Sequence, residues 1–290
     1  MTSKSILSSL LLSGAALVTA NGALIAYYPL DGDFLDASGN GNDGTMFGGV
    51  SYAGDSSAAI GGGQSAVFDG VAGTYGSVNT GLAVSGNTNF TVSMWVKGDG
   101  TANSDDRVFS EGQSGNNNPL FNIGTHNSSA DGTVDIYIRN GGGGTTLNHG
   151  HSPGTAFDGD WHHIVFLGGS DKQLDLYIDG VFDTTFDYSV VPDFTPDTTT
   201  IGGILRAGDC CNFLGSIDEV AMWDSDLTPE EIANLALGTP ADNVGFPPED
   251  SDGDGLPNDW ETANDLDPND DGSGAPVNGP DGDPDSDNSS

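Results

Sequence analysis

The chain has 290 residues, of which 45 are Gly, and it carries 43 Asp or Glu against 6 Lys or Arg, a formal net charge of −37. Nucleic acid and anionic lipid are bound through cationic patches that displace counterions. We therefore expect no nucleic-acid partner. After residue 20 no stretch is apolar enough to span a bilayer, so we also expect no membrane insertion of the mature chain.

Residues 1–20 are typical of a secretory signal peptide. Lys4 lies in a short basic start, residues 6–18 form an apolar stretch, and Val18 and Ala20 give the spacing of a cleavage site. A membrane-spanning helix needs about 20 apolar residues, so a permanent anchor is the less favoured alternative. We predict cleavage after Ala20 or Ala23, export of the bacterial type, and a secreted, extracellular or cell-surface location.

Residues 24–222 repeat short alternations of apolar and polar side chains between clusters of Gly, Asn and Asp. The alternation over residues 90–97, 134–139 and 174–179 predicts strands with one buried face. The pair Asp179-Gly180 follows the last of these and favours a two-residue hairpin. The pattern predicts an all-β fold in which two antiparallel sheets pack as a sandwich.

One helix is predicted after the strands. Thr228 is a suitable N-cap, Pro229 suits the first helical position, and Glu231 completes a T-x-x-E capping box. We expect this helix to seal one end of the sandwich and to end at Gly238. Residues 239–249, with three prolines, are typical of a linker, and residues 250–290 hold 13 Asp or Glu and no cation.

Seven short motifs in a fixed order carry a family resemblance. They are YPLD (28–31), DASGNGNDG (36–44), FDG (68–70), FTVSMWV (90–96), GDWHH (159–163), LYIDG (176–180) and GSIDEV (215–220). In this order they resemble the laminin-G-like jelly-roll domains, which are related in fold to the concanavalin A-like lectins. The resemblance covers residues 24–238. It implies a sandwich of at least about twelve strands that binds glycan or protein, often with one structural calcium ion.

The acidic tail resembles the thrombospondin type 3 repeats of bacterial surface proteins. Residues 250–261 match the calcium-loop pattern D-x-[DN]-x-[DN]-G-x5-E, with Pro257 inside the loop excluding an EF-hand. Residues 267–271 and 283–287 resemble a second repeat without its closing acid, which indicates a truncated sequence or an unusual end. The predicted calcium ligands are Asp250, Asp252, Asp254, Leu256, Asn258 and Glu261. The alternative is a solvated acidic segment that binds no calcium.

A second calcium site is suggested by the resemblance alone. It would place Asp36, Asn42 and carbonyl groups near Asn40 against Asp218 or Glu219, at a rim of the jelly roll. The alternative is that the segment around Asp36 forms tight turns, in which its side chains bond to the backbone.

Cys210 and Cys211 are adjacent and are the two cysteines of the chain. Consecutive Cα atoms lie about 3.8 Å apart, below the usual disulfide range of about 4.4–6.8 Å, so a bond between them implies strain. The chain is expected outside the reducing cytosol, and we favour a Cys210–Cys211 disulfide because no other cysteine is present as a partner. Free thiols and links to another chain are the alternatives.

Histidines and aromatic residues offer weaker signals. His149, His151, His162 and His163 suggest zinc, but such a site needs three or four convergent ligands, and we expect none here. Aromatic side chains can stack on sugar rings, although we expect most of them to fill the core. The candidates are Trp95, Trp161, Trp223, Tyr75, Tyr137 and Tyr177.

The chain lacks the E-x-D-x-E pattern that supplies paired carboxylates to glycoside hydrolases of this fold. Asp218 and Glu219 are consecutive, so on a regular strand they would face opposite sides. We therefore predict a non-enzymatic, calcium-binding module for carbohydrate binding or adhesion, with a glycan or an extracellular protein as partner. The alternative is a glycoside hydrolase or an accessory domain of a larger polysaccharide-degrading enzyme.

Overall fold

The computed structural model describes residues 22–78, 81–98, 105–168, 173–188 and 195–244, together with Asn269. The predicted signal peptide and the predicted calcium loop at residues 250–261 lie outside these residues. Residues 245–249 of the predicted linker lie outside them as well.

The described residues form seventeen strands and one α-helix. The strands are β1 (Leu24–Tyr28), β2 (Gly44–Phe47), β3 (Ser51–Ala53), β4 (Ser65–Asp69), β5 (Tyr75–Val78), β6 (Phe90–Gly98), β7 (Arg107–Gln113), β8 (Asn116–Thr125), β9 (Thr133–Arg139), β10 (Thr145–Thr155), β11 (His162–Gly168), β12 (Gln173–Ile178), β13 (Val181–Asp187), β14 (Thr198–Ile201), β15 (Ile204–Leu205), β16 (Asp209–Cys210) and β17 (Leu214–Trp223). The helix is α1 (Pro229–Ala236). Strands therefore occur where the alternating sequence predicts them.

Two antiparallel sheets make up the sandwich. The eight-stranded sheet has the order β13-β12-β11-β6-β17-β4-β3, and β1 pairs with β17 beside this path. The seven-stranded sheet has the order β10-β9-β8-β7-β14-β5-β2, and β15 and β16 form a separate hairpin. The predicted all-β, two-sheet jelly-roll fold is confirmed.

The core lies between the inner faces of the two sheets. Alternate residues supply it, such as Val92, Met94 and Val96 from β6 and Ile136 and Ile138 from β9. Burial of these apolar side chains is the main stabilising contribution to such a sandwich. The other face of each sheet points away from this core.

The predicted hairpin and helix boundaries are confirmed. Asp179 and Gly180 adopt positive φ angles of 51° and 76° between β12 and β13, as a primed two-residue turn requires. Thr228 caps α1, and its capping box with Glu231 is formed in both directions.

The predicted position of the helix is wrong. Helix α1 does not seal an end of the sandwich but packs on the outer face of the eight-stranded sheet. Its buried residues Ile232 and Leu235 join a second apolar cluster with Tyr27, Val165 and Trp223, which lie on that face. The outward-facing apolar side chains of β11 and β17 decide this position, because they would otherwise be exposed to water.

Candidate functional site

The outer face of the seven-stranded sheet is polar where β7, β8 and β9 run side by side. In β9 the residues Val134, Ile136 and Ile138 belong to the core. Because side chains alternate along a strand, the residues between and after them point to the other side. The sequence motif D-x-Y-x-R thus places two charges and an aromatic ring on one face. The polar face consists of Arg107, Ser110, Asn122, Asp135, Tyr137 and Arg139.

Strand register brings these residues into rows across the sheet. Ser110 lies opposite Asn122, and Asn122 lies opposite Tyr137, so the three form one row. The Asn122 amide donates a hydrogen bond of 3.1 Å to the carbonyl oxygen of Tyr137. This row is the centre of the polar face.

A second row centres on a buried ion pair. Arg107 Nη1 donates to Asp135 Oδ2 at 2.6 Å, and the two side chains are 2% and 0% exposed. The Arg107 guanidinium also pairs with Asp105. An ion pair held this far from water fixes both groups, because either one alone would be a buried uncompensated charge.

The same carboxylate orients two histidines of β10. His149 Nδ1 lies 3.0 Å from Asp135 Oδ2, and His151 Nε2 lies 3.1 Å from Asp135 Oδ1. The contact of His149 Nδ1 with Asp135 is a hydrogen bond to a carboxylate, which accepts, so this nitrogen carries the proton. The hydrogen bond of His151 Nε2 is to Asn127 Oδ1 at 3.0 Å. Asp135 therefore orients His149 and, together with Asn127, holds His151.

Stacked rings border the polar face along β10. Tyr137 stacks on His149 with centroids 4.6 Å apart, and His151 stacks on His126 at 3.7 Å. Burial lowers the pKa of His151, and the nearby His126 and His149 act in the same direction against Asp135. The result is a series of flat rings with polar edges, which are groups that contact sugars well.

The opposite border is the segment of residues 203–212, here named the rim segment. It lies over β14, where Thr200 Oγ1 donates to the Gly203 carbonyl at 2.8 Å and Thr198 Oγ1 donates to the Leu205 carbonyl at 3.1 Å. The polar face therefore lies between the rim segment and β10, and this bordered face is named the groove below; Ser110 and Asn122 are buried within it, at 1% exposure each. The rim segment also carries Arg206 and both cysteines.

The two cysteines are free thiols in the structure, and the Cys210–Cys211 disulfide stays a prediction. Their sulfur atoms lie 2.8 Å apart, and Cys211 has a positive φ of 59°. The Cys211 thiol and then the Arg206 guanidinium lower the pKa of Cys210 to about 6, against the effect of burial. The hydrogen bond between the thiols raises the pKa of Cys211.

The predicted jelly-roll calcium residues do not all come together. The Asp36 carboxylate accepts hydrogen bonds from the backbone amides of Tyr27, Ser38 and Asn42 at 2.9–3.0 Å. The side chain of Asn40 donates to the Leu24 carbonyl at 2.7 Å. These are the turn-forming bonds of the alternative interpretation. Burial raises the pKa of Asp36, but hydrogen bonds led by Ser38 hold it below its usual value.

Asp218 lies in a different acidic group, with Asp31 and Glu219. Burial raises the pKa of Asp218 to about 8, and Glu219 and Asp31 add to the effect. A bulge follows Asp218 and gives Glu219 a φ of 50°, so the strand alternation that would separate the two side chains is interrupted. The sequence interpretation did not identify Asp31 as a neighbour of Asp218, because the two residues lie far apart along the chain.

Within the ranges that the structure describes, no group of three or more His, Cys, Asp or Glu side chains is placed to hold a metal ion. The jelly-roll calcium site and the tail calcium loop both stay predictions. His162 lies between Asp158 and Asp179 at 3.2 and 2.8 Å, away from the polar face.

His163 is buried beneath α1, where its Nε2 lies 2.8 Å from Ser93 Oγ. Burial lowers the pKa of His163 to about 3. Trp95, His163 and Glu219 line a small cleft there. The four histidines named as zinc candidates therefore occupy two separate sheets.

The aromatic candidates differ in how far they are exposed. Trp95 and Trp223 are buried, at 6% and 1% exposure. Trp161, Tyr75, Tyr137 and Tyr177 are partly exposed, so the expectation that most of the six fill the core is wrong. Tyr137 is the one of these four that stands on the polar face beside Asn122.

The two packed antiparallel sheets define a jelly-roll sandwich. The laminin-G-type model of the concanavalin A-like lectin/glucanases superfamily matches residues 68–233, more than half of the chain, and the chain belongs to this family. No curated protein matches the sequence.

Solved structures share the fold at low sequence identity. Domain 4 of AbnA, a GH43 extracellular arabinanase from Geobacillus stearothermophilus solved with arabinotriose, has a TM-score of 0.58 and 22% identity, and the match covers 74% of this chain and 99% of that one. The binding domain of Paraclostridial Mosquitocidal Protein 1 has a TM-score of 0.55 and 16% identity, over 76% of this chain and 52% of that one. The receptor binding domain of botulinum neurotoxin C/D mosaic serotype has a TM-score of 0.56 and 13% identity, over 75% and 51%.

The chain spans about half the length of these two toxin chains. At these identities the similarity shows the fold. Among the described residues no helix is long and apolar enough to cross a membrane.

Proposed function

We propose that this domain binds carbohydrate without cleaving it, and that the polar face is its binding surface. The observation that carries the proposal is a set of partly exposed rings on this face. Ser110 and Asn122 are buried at 1% exposure, whereas Tyr137 is partly exposed and His149 and His151 have side chains 27% and 34% exposed. Sugar sites combine a flat ring for stacking with a few fixed hydrogen-bonding groups, and these three side chains supply both.

The groove is also held rigid. The buried Arg107–Asp135 pair crosses the floor, and Asp135 fixes the rings of His149 and His151. A site whose side chains are already positioned loses little conformational entropy on binding. The arabinanase domain solved with arabinotriose has the same fold, which supports a carbohydrate ligand as the first to test.

Non-catalytic binding is proposed on the chemistry of the groove. A glycoside hydrolase needs two carboxylates beside the scissile bond, one of them free to act as an acid. On the polar face Asp135 is committed to Arg107 and the histidines. The runner-up is an accessory domain of a larger polysaccharide-degrading enzyme, and the similar domain 4 of AbnA is part of a GH43 extracellular arabinanase.

Calcium is proposed for the tail at Asp250, Asp252, Asp254 and Glu261, on sequence pattern alone. A bound ion would offset the mutual repulsion of the acids. Isothermal titration of the full chain with calcium, beside the Glu261→Gln variant, tests this. Heat at micromolar to millimolar calcium that is weakened in the variant supports the proposal, and absence of heat contradicts it.

A glycan array run on the full chain, with calcium and with chelator, tests the main proposal. We expect binding to a defined set of polysaccharides, with no release of reducing ends on prolonged incubation. Absence of binding on the array would contradict carbohydrate binding and favour protein adhesion. Release of sugar fragments would contradict the non-catalytic role.

A further inference from the structure

The two cysteines lie side by side on the rim segment. Cys210 ends β16 and lies opposite Ile204 of β15 in the hairpin that these two short strands form. The sulfur atoms are 2.8 Å apart, with the Cys211 thiol donating to Cys210 Sγ, and both residues are partly exposed. Two thiols that touch each other and also reach solvent are accessible to a small sulfur compound.

The residues that flank the cysteines hold them in place. Before the pair, the Asp209 carboxylate accepts a hydrogen bond from the Gly73 backbone amide at 2.6 Å. After the pair, the Asn212 side chain donates to the Thr74 carbonyl at 2.9 Å. The two sulfur atoms are therefore carried by a segment that is fixed on both sides, and reacting groups held together in this way react far faster than free ones.

The surroundings of the two sulfur atoms differ in charge. Arg206 Nη2 lies 3.4 Å from Cys210 Sγ, and a cation at this place favours the thiolate. Asp105 Oδ2 lies 4.0 Å from Cys211 Sγ, and a carboxylate there favours the protonated thiol. The lowered pKa of Cys210 and the raised pKa of Cys211 have the same directions. Cys210 is thus the nucleophile of the pair, and Cys211 is the thiol that keeps its proton.

A bond between these two sulfur atoms would be easy to reopen. Adjacent Cα atoms lie about 3.8 Å apart, below the usual disulfide range of about 4.4–6.8 Å, and a strained disulfide is more readily reduced. Strained or exposed disulfides are the labile ones, whereas structural disulfides resist reduction by thiols. The adjacency and partial exposure of the pair therefore favour reversible chemistry over a permanent cross-link.

We propose that Cys210 and Cys211 form a thiol–disulfide exchange site whose substrate is a small-molecule disulfide. The chemistry of this site does not depend on the proposed carbohydrate binding. In the first step Cys210, as the thiolate, attacks one sulfur atom of the substrate. The S–S bond of the substrate breaks, and one half leaves as a thiol after taking up a proton. The other half stays joined to Cys210 Sγ as a mixed disulfide.

Cys211 completes the exchange. Its thiol releases a proton to water, and its sulfur atom attacks Cys210 Sγ, so that the bond to the substrate half breaks and a second thiol leaves. The pair is oxidised by two electrons, and the substrate disulfide is reduced to two thiols. An excess of thiol drives the same steps in reverse and restores the two free cysteines.

The test follows exchange on the reduced full chain, without oxygen, with hydroxyethyl disulfide as the probe. This probe is uncharged, so the strongly negative charge of the chain does not repel it. Intact-mass spectrometry distinguishes the mixed disulfide, which adds one hydroxyethylthio group, from the closed pair, which lacks two hydrogen atoms. Released thiol is measured in parallel.

The variants are Cys210→Ser, Cys211→Ser and Arg206→Gln. Lys97→Gln is the control for the loss of a cation, because Lys97 belongs to β6 of the other sheet and pairs with Asp55 at 3.0 Å. Thermal melting checks that each variant folds, and the wild-type results decide the matter alone if a variant does not.

We expect the wild type to pass through the mixed disulfide to the closed pair, to release two thiols per chain, and to reopen with dithiothreitol. Cys211→Ser should stop at the mixed disulfide, and Cys210→Ser should react at least about tenfold more slowly. Arg206→Gln should slow the first step about threefold, whereas Lys97→Gln should not.

Several results would overturn the exchange site. A wild type that does not react, or that stops at a stable mixed disulfide, would show that the two sulfur atoms do not act together. Equal rates for Cys210→Ser and Cys211→Ser would remove the assigned roles. A closed pair that dithiothreitol cannot reopen in the folded chain would be a permanent cross-link instead. None of these results bears on the glycan array, so the proposed function stands or fails separately.

Discussion

The Arg107 guanidinium lies 2.6 Å from the Asp135 carboxylate on the outer face of the seven-stranded sheet, and neither side chain is more than 2% exposed. The pair joins β7 to β9 across the intervening β8. It also connects the two sides of the groove, since Arg107 reaches Asp105 on one side and Asp135 reaches His149 on the other. The central charged groups of the groove, Arg107 and Asp135, are therefore buried rather than exposed.

Removing this charge should destabilise the fold. Asp135→Asn leaves the Arg107 guanidinium buried with only Asp105 as partner, and we expect a loss of about 3 kcal/mol in the free energy of unfolding. Chemical denaturation measures the loss. Asp175→Asn on β12 is the control, because Asp175 bonds only Thr185 at the protein surface among its described contacts. Equal stability of the Asp135 variant and the wild type would contradict the structural role.

Stability should also depend on pH through Asp218. Burial raises the pKa of Asp218 from 3.8 to about 8, so the folded state binds its proton more tightly than the unfolded state does. The stabilisation is complete below the unshifted pKa of 3.8 and is lost as the pH rises through the folded value. The wild type should therefore lose stability between about pH 4 and 8 through this group.

Asp218→Asn removes this dependence, because the amide resembles the protonated acid. We expect the melting temperature of the variant to rise relative to that of the wild type as the pH goes from 5 to 8.5. Asp224→Asn, at an exposed position just after β17, is the matched control. A constant difference across this pH range would contradict the prediction.

Cys210 should be the more reactive thiol. The Cys211 hydrogen bond and the Arg206 guanidinium lower its pKa to about 6, which favours the nucleophilic thiolate over the thiol. Timed alkylation followed by peptide mass spectrometry should label Cys210 well before Cys211. Arg206→Gln should slow that labelling. Equal rates at both thiols would contradict the prediction, and labelling that needs prior reduction would instead support the disulfide expected from the sequence.

Local features of the fold could be predicted from the sequence because their causes are local. The alternation in residues 134–139 gave β9, Asp179-Gly180 gave the hairpin, and Thr228 with Glu231 gave the start of α1. The position of α1 could not be predicted, since it depends on which outward-facing side chains of β11 and β17 are apolar once the strands are paired.

The groove was harder to predict because register determines it. Tyr137 was identified as a candidate, but its neighbours Ser110 and Asn122 become known only when β7, β8 and β9 are aligned. A bulge between Arg107 and Phe109 sends Arg107 to the outer face, and no sequence pattern marks it. The sequence did carry one indication of this face. The D-x-Y-x-R pattern of β9 puts Asp135, Tyr137 and Arg139 on the same side of the strand, facing away from the core.

The central claim, that the polar face binds carbohydrate, is tested most directly by one comparison. Tyr137→Ala and Tyr177→Ala each remove a partly exposed tyrosine from a strand, but only Tyr137 stands on the polar face. Calorimetric titration with the glycan that binds best on the array should show affinity reduced at least about tenfold by Tyr137→Ala and unchanged by Tyr177→Ala. Equal affinity of the Tyr137 variant and the wild type, with both folded, would contradict the claim.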